Sequence, residues 1–126
     1  MPAVGLWPMM ITAELARSVG RKKVLEMMLT GTKMSAADAL ACGLVNRVVP
    51  AAELEIATMQ LANEIASRSP AAIRLGLQAF YRSQDMEHGP QLRYLQGELG
   101  RVLALDDAKE GISAFLQKRE PIWKGR

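Results

Sequence analysis

Proline placement is the feature that most restricts the fold of this chain. Proline lacks a backbone N–H and its ring clashes with the preceding turn, so helix interiors exclude it while first turns accept it. Here the prolines lie between stretches of helical periodicity, and Pro8 and Pro70 each stand at the start of one. No internal repeat or low-complexity tract interrupts this order. The 126-residue chain is therefore predicted to be mostly α, as consecutive helices with one short extended segment.

Capping residues and polar segments predict where these helices begin and end. Ser35, with Asp38 three residues further on, has the pattern of an N-cap that answers free backbone N–H groups. Gln84 to Pro90 is predicted as a polar linker, and Asp106-Asp107 as the cap of the last helix. The helices are predicted at Ile11 to Val19, at Arg21 to Leu29, after Ser35, and around Leu54 to Ile65, Ile73 to Phe80, Leu92 to Leu103 and Ile112 to Leu116.

The segment Leu44 to Val49 differs from the rest of the chain. It is rich in β-branched residues, alternates roughly, and lies between Gly43 and Pro50, which is typical of a short strand. One strand cannot satisfy its own backbone hydrogen bonds. Because no second strand of equal quality is present, we expect its partner, and part of the domain, to lie outside this chain.

Charge and composition narrow the classes of partner. The net charge is +3, with two Trp, two Tyr and two Phe, and the basic residues are spread along the chain and mostly matched by acidic ones. A nucleic-acid surface would concentrate Lys and Arg on one face, so no nucleic acid is predicted as a partner. Two basic groups remain, and they are either solvated surface or contacts for a phosphate-bearing ligand: Arg17, Arg21, Lys22 and Lys23, and then Lys118, Arg119, Lys124 and Arg126.

The cysteine content and the N-terminal residues bear on metal binding and location. Cys42 is the only cysteine and has no His or Cys near it in sequence, so it is interpreted as a small apolar residue, and no metal site is predicted. The apolar segment Val4 to Ile11 is too short to span a bilayer, and no basic stretch precedes it. These observations predict a cytoplasmic location and no membrane partner.

No acid–base catalyst can be assembled from spacing alone. His88 lies in the polar linker and is interpreted as a surface residue rather than a general base. Glu53, Glu55 and Glu64 fall on the solvated face of an amphipathic helix, and Glu110 is in a first turn, where a carboxylate favours the helix dipole.

Five motifs follow one another along the chain in an order and spacing that are typical of a known family. The series resembles the landmarks of the crotonase (enoyl-CoA hydratase/isomerase) superfamily, and the last motif resembles the closing helix of that family. The motifs are Val4-Gly5-Leu6-Trp7-Pro8-Met9-Met10, Gly20-Arg21-Lys22-Lys23, Leu29-Thr30-Gly31, Gly43-Leu44-Val45-Asn46-Arg47-Val48-Val49-Pro50, and Asp107 with Glu110-Gly111-Ile112-Ser113-Ala114-Phe115-Leu116 and Lys118-Arg119.

The resemblance implies an architecture. The family fold has a core of strand–strand–helix turns followed by a helical region that mediates trimerisation, with trimers often paired into hexamers. Residues 1–50 would be the last edge of that core and residues 51–126 the helical trimerisation region, with a short residual strand near 44–49. A homo-oligomer, trimer or hexamer, is therefore expected of the complete protein.

The resemblance also implies a chemistry and a ligand site. The family binds acyl-CoA thioesters and stabilises an enolate with an oxyanion hole, with CoA as part of the substrate and no further cofactor. By this resemblance the oxyanion hole and the first catalytic glutamate lie upstream of this chain. The position of the second glutamate falls at about Met1, where there is no carboxylate, so no catalytic residue is assigned. Phe115 and Lys118 match the aromatic and the lysine that contact the CoA nucleotide of an adjacent subunit. Helical spacing also fits Phe115 as a core residue with Ile112, and from spacing this is the preferred interpretation.

Two functions follow as expectations. The first is a fragment of an enoyl-CoA hydratase/isomerase family protein, inactive as this isolated chain. The alternative is a non-catalytic oligomerisation or scaffold module that pairs with full-length crotonase relatives.

Overall fold

The structure, a computed structural model, describes residues 5–126. The chain divides into two compact units, Met1–Leu54 and Glu55–Arg126. Helices account for most of the described residues, so the prediction of a mostly α chain is confirmed. The predicted motif at Val4 begins outside the described residues.

The described residues of the first unit form three helices and a 3₁₀ turn. The helices are α1 (Met9–Ser18), α2 (Arg21–Thr30) and α3 (Ala36–Ala41), and the turn is Ala51–Glu53. Their core is small: it consists of the buried side chains Val19, Val24 and Met28, against which Leu15, Met27, Cys42 and Leu44 pack.

Local sequence signals fix two helix ends in this unit as predicted. Gly31 ends α2 in the left-handed conformation at φ 65°, which glycine adopts without a Cβ penalty. The Ser35 hydroxyl accepts a hydrogen bond from the Asp38 backbone N–H at 3.0 Å and donates to the Asp38 carboxylate at 2.6 Å. This pair caps α3, and the Ser35 hydroxyl lowers the pKa of Asp38.

The strand predicted at residues 44–49 is not formed. The backbone N–H groups of Leu44 and Val45 both donate to the Ala39 carbonyl, at 2.9 Å and 3.3 Å, so the start of the segment folds back onto α3. The remaining residues run to Pro50 without regular structure, and no segment within residues 5–126 is a strand. The prediction was wrong because a β-branched sequence becomes a strand only beside a partner.

The second unit consists of four helices, the first of which begins at the last residue of the first unit, followed by a C-terminal segment. Its helices are α4 (Leu54–Ala66), α5 (Pro70–Ser83), α6 (His88–Leu103) and α7 (Asp106–Gln117), and α5, α6 and α7 contact one another. The predicted linker is shorter than expected, because Pro90 lies in the first turn of α6, where its missing N–H is not needed. The predicted cap of α7 is also wrong, since Leu105 is the N-cap and both aspartates lie inside the first turn.

The fully buried apolar residues of this unit are small and are not those of the predicted apolar stripes. Ala71, Ala79 and Ala114 are buried, which allows close approach of the helix backbones. Four large apolar residues of the stripes are half-buried: Leu61, Ile73, Leu95 and Val102. The others are exposed within this chain: Ile65, Leu77, Phe80, Leu92, Leu99, Leu103, Ile112, Phe115 and Leu116.

Candidate functional site

The two residues that the sequence singles out for ligand binding lie at the C-terminal end of α7. Phe115 is 82% exposed and Ile112 is 56% exposed, so within this chain Phe115 is not the core residue that helical spacing allowed. The buried residue of this turn is Ala114, at 1%. The Phe115 ring is therefore available to a ligand or to another chain.

Lys118 ends α7 in an unusual backbone conformation. Its φ and ψ are 54° and 40°, and it is the only non-glycine residue with positive φ within residues 5–126. The Lys118 N–H donates to the Phe115 carbonyl at 3.2 Å, and the Arg119 N–H donates to the Ala114 carbonyl at 3.0 Å, which closes the helix end. Glycine is the usual residue here, because a side chain in this conformation costs roughly 1–2 kcal/mol.

A two-point ion pair fixes the residue that follows. The Arg119 guanidinium contacts both carboxylate oxygens of Glu110, with Nη1 to Oε1 at 2.5 Å and Nη2 to Oε2 at 3.0 Å. Glu110 also accepts the backbone N–H of Ile122 at 2.9 Å. The Arg119 side chain and this N–H together lower the pKa of Glu110 to about 2. Glu110, interpreted from the sequence as a helix-dipole residue, thus holds the chain that leaves α7.

A buried carboxylate holds the rest of the C-terminal segment, which we define as residues 119–126. Asp107 is 1% exposed and accepts hydrogen bonds from the Ser69 hydroxyl at 2.7 Å, the Lys124 N–H at 2.6 Å and the Gly125 N–H at 3.1 Å. Burial alone would raise the pKa of Asp107, but these donors favour the ionised form and hold its pKa below the usual value. The Asp107 N–H in turn donates to the Arg126 carbonyl at 3.0 Å.

Trp123 provides a third attachment of the C-terminal segment. Its indole N–H donates to the Ser67 carbonyl at 2.7 Å. Its ring lies over α7 at Gly111, where an added Cβ would come within 3.2 Å of the Trp123 Cη2 atom. A side chain at Gly111 would therefore press on the ring, and glycine is suited to this close approach.

Within the second basic group, Lys118, Arg119, Lys124 and Arg126, some side chains form ion pairs with carboxylates of this chain and others do not. Arg119 pairs with Glu110, and Arg126 lies 3.4 Å from Asp106. The Lys118 ammonium has no carboxylate partner among residues 5–126, so its charge is available to an anion. In the first group, Lys23 pairs with Glu26 in the first unit at 3.0 Å.

The other residues considered from the sequence lie apart from this helix end. His88 is exposed in the first turn of α6 rather than in a loop, and Glu53, Glu55 and Glu64 are exposed. Cys42 is half-buried, with its thiol 4.0 Å from the Met34 sulfur and 3.5 Å from the Ala39 carbonyl. Within the described residues, no three His, Cys, Asp or Glu side chains are grouped to hold a metal ion, and no helix has the length and apolarity to cross a membrane.

Sequence reasoning missed two contributors to this region, Asp107 as an anchor and Trp123. Asp107 stands beside Asp106 at a helix start, so both aspartates match the same capping pattern. Only the burial of Asp107 and its contacts with residues 17 and 18 positions later separate the two. The Trp123 hydrogen bond joins residues 56 positions apart, which no local spacing rule detects.

Comparison with known proteins decides the family. The sequence matches the pattern described as enoyl-CoA hydratase/isomerase over residues 1–126. The chain belongs to the enoyl-CoA hydratase/isomerase family. The resemblance to the crotonase superfamily is thereby confirmed.

Individual relatives agree with this membership. The chain is 44% identical over 120 residues to the human enoyl-CoA hydratase domain-containing protein 3, mitochondrial. The alignment covers 95% of this chain but 40% of that protein. The crystal structure of the human protein superposes with a TM-score of 0.92 over 96% of this chain and 48% of that one. A Mycobacterium smegmatis enoyl-CoA hydratase structure, 36% identical, gives a TM-score of 0.93 over 96% and 47%. The chain thus spans less than half the length of these relatives.

The predicted cytoplasmic location is contradicted by relatives of this chain. The human protein and a Dictyostelium discoideum protein, named probable enoyl-CoA hydratase, mitochondrial, both carry a mitochondrial designation. The prediction depended on the first residues of the chain. These residues carry no information on a leader when the chain covers 40% of its human relative.

Proposed function

We propose that this chain is part of an enzyme that acts on acyl-CoA thioesters, and that it supplies a contact to the CoA nucleotide. The observation that carries the proposal is the end of α7, where an 82% exposed aromatic ring and an ammonium without a carboxylate partner in the described chain lie three residues apart. An aromatic ring can stack on adenine, and an ammonium can meet a phosphate. Phe115 and Lys118 are the residues proposed to bind.

The chemistry of the whole protein is proposed to follow the family. An acyl-CoA thioester would be converted through an enolate whose negative charge is stabilised by backbone N–H groups aimed at it before it develops. Residues outside this chain would supply those groups and the carboxylates that move protons. Asp107 and Glu110, two carboxylates of α7, already accept hydrogen bonds from the C-terminal segment. We therefore propose that residues 1–126 alone are inactive.

The surface of the second unit supports a proposed homo-oligomer. Large apolar side chains are exposed on α5, α6 and α7, among them Leu77, Leu99 and Leu116. Covering such faces is favourable by about 25 cal/mol per Å² of apolar surface. Residues 51–126 are thus proposed as the trimerisation region of the complete protein and residues 1–50 as the edge of its core.

Calorimetric titration of the purified 126-residue chain with CoA tests the ligand contact. Phe115→Ala and Lys118→Ala are each expected to weaken CoA binding about tenfold, since stacking and a charged hydrogen bond are each worth roughly 1–3 kcal/mol. The matched controls are Phe80→Ala, another exposed phenylalanine, and Lys109→Ala, another exposed lysine of α7. Equal effects of each variant and its control would reject Phe115 and Lys118 as ligand contacts.

The proposed inactivity has its own measurement. Hydration of a 2-enoyl-CoA removes the conjugated double bond, so turnover appears as a loss of ultraviolet absorbance. The 126-residue chain is expected to give the rate of buffer alone. Turnover that depends on the chain, in protein free of other hydratases, would refute the proposed inactivity.

The exposed apolar faces also favour the second candidate, a non-catalytic module that pairs with full-length relatives. The test mixes this chain with the recombinant human relative and measures particle mass by light scattering. A mixed oligomer that leaves the relative's turnover per catalytic subunit unchanged would support the module. Separate species at all ratios would exclude it.

A further inference from the structure

We propose that Glu110 and Arg119 are positioning residues for ligand binding, because they hold Lys118 in the conformation that presents its ammonium. The inference rests on the proposed function, in which Lys118 meets a phosphate of CoA. It adds two residues that themselves make no contact with the ligand.

The first step is that Lys118 needs an external restraint. A lysine at φ 54° and ψ 40° occupies a conformation that residues with a side chain disfavour, whereas continuing the helix or extending the chain would relieve it. In either alternative conformation, the Lys118 side chain would leave the backbone in another direction than it does here. A fixed direction for the ammonium therefore requires that the chain on both sides of Lys118 is held.

The second step is that Glu110 supplies this restraint from two turns earlier on the same helix. Its carboxylate takes the Arg119 guanidinium at two points and the Ile122 N–H at 2.9 Å, so the residue after Lys118 is tied back to α7. The Arg119 Nε atom also donates to the Gln117 side chain at 2.7 Å, which joins the residues on either side of Lys118. A planar guanidinium makes this set of bonds, and a lysine ammonium cannot reproduce its two-point geometry.

The third step is that the far end of the C-terminal segment is also held by hydrogen bonds. Asp107 accepts the N–H groups of Lys124 and Gly125, and the Trp123 indole is bonded to Ser67. The segment is thus anchored at its end as well as at Arg119. The charge of Arg119 is taken up by Glu110, while that of Lys118 is left for a ligand.

A double-mutant cycle on the full 126-residue chain, with CoA as the titrant, tests this assignment. Glu110→Gln keeps an oxygen for the Ile122 N–H but removes the ion pair, and is expected to weaken CoA binding about fivefold. In the Lys118→Ala background the same substitution is expected to have no further effect, because there is no ammonium left to position. Glu98→Gln is the matched control, since both carboxylate oxygens of Glu98 accept from the Arg101 Nη1 atom on α6.

The outcomes separate this inference from the function on which it rests. If the losses of CoA affinity from Glu110→Gln and Lys118→Ala multiply in the double variant, the positioning role is overturned and Lys118 remains a ligand contact. If Lys118→Ala binds CoA as well as Lys109→Ala does, the proposed nucleotide contact fails first. Should Glu110→Gln lose its helical circular dichroism, Arg119→Lys replaces it in the cycle, with the same fivefold loss expected. Full CoA affinity in either folded variant refutes the inference.

Discussion

Replacing Lys118 with glycine should stabilise the protein while removing a ligand contact. At φ 54° the lysine side chain costs roughly 1–2 kcal/mol, and glycine removes that cost. Glycine also gains freedom in the unfolded chain, which offsets about 0.5–1 kcal/mol of the gain. The expected net stabilisation is about 0.5–1 kcal/mol. For a unit the size of Glu55–Arg126, this raises Tm by roughly 2–8 °C.

Lys118→Ala is the matched control, because alanine removes the charge but keeps a Cβ in the left-handed region. Thermal unfolding by circular dichroism and calorimetry should therefore rank glycine above both wild type and alanine, with the last two close together. CoA titration should show equal losses for both variants, since each lacks the ammonium. A Tm of Lys118→Gly at or below that of Lys118→Ala would refute the assignment of backbone strain to this residue.

Three further predictions test other parts of the chain. The pKa of Glu110 is lowered in the folded state from 4.5 to about 2, so its contribution to folding stability is complete above pH 4.5 and is lost as pH falls towards 2. The Tm of the wild type should therefore fall more across that range than the Tm of Glu110→Gln. Equal slopes of Tm against pH would contradict this. Gly97→Ala, with nothing within 4 Å of the added Cβ, should stabilise α6 by about 1 kcal/mol, whereas Gly111→Ala should show no such gain in urea unfolding because its Cβ meets Trp123 at 3.2 Å; equal gains would disprove the contact. Ser35→Ala should cost about 1 kcal/mol in urea unfolding by removing the cap of α3, and an unchanged midpoint would reject the cap.

The features that the sequence predicted correctly depend on neighbours within a few residues. The Ser35 cap and the stop at Gly31 are properties of four or five consecutive residues, and the structure reproduces both. Proline placement separated the helices for the same local reason. The segment from Leu44 to Val49 failed, because its pattern describes one face of a pairing whose other member is not among the described residues.

The candidate site was predictable only in part, for a related reason. Resemblance to the family selected Phe115 and Lys118 by position in a motif, whereas the restraint on Lys118 comes from residues 119–126 folding back over α7. Apart from the Arg119 side chain, which pairs with Glu110, the donors that this segment offers to Asp107 and Glu110 are backbone N–H groups. Every residue except proline carries such a donor, so the sequence offers no pattern by which to recognise these contacts.

Polar anchors order the second unit more than a large apolar core does. Among the described residues larger than alanine, Asp107 is the most deeply buried, and the buried apolar residues of this unit are alanines. Small residues bury little surface, while long apolar side chains such as Leu99 and Leu103 remain exposed. A buried carboxylate that satisfies three donors holds the C-terminal segment in one register against α5 and α7. The end of α7 can therefore keep a defined geometry in this chain even though the apolar faces of the surrounding helices have no cover.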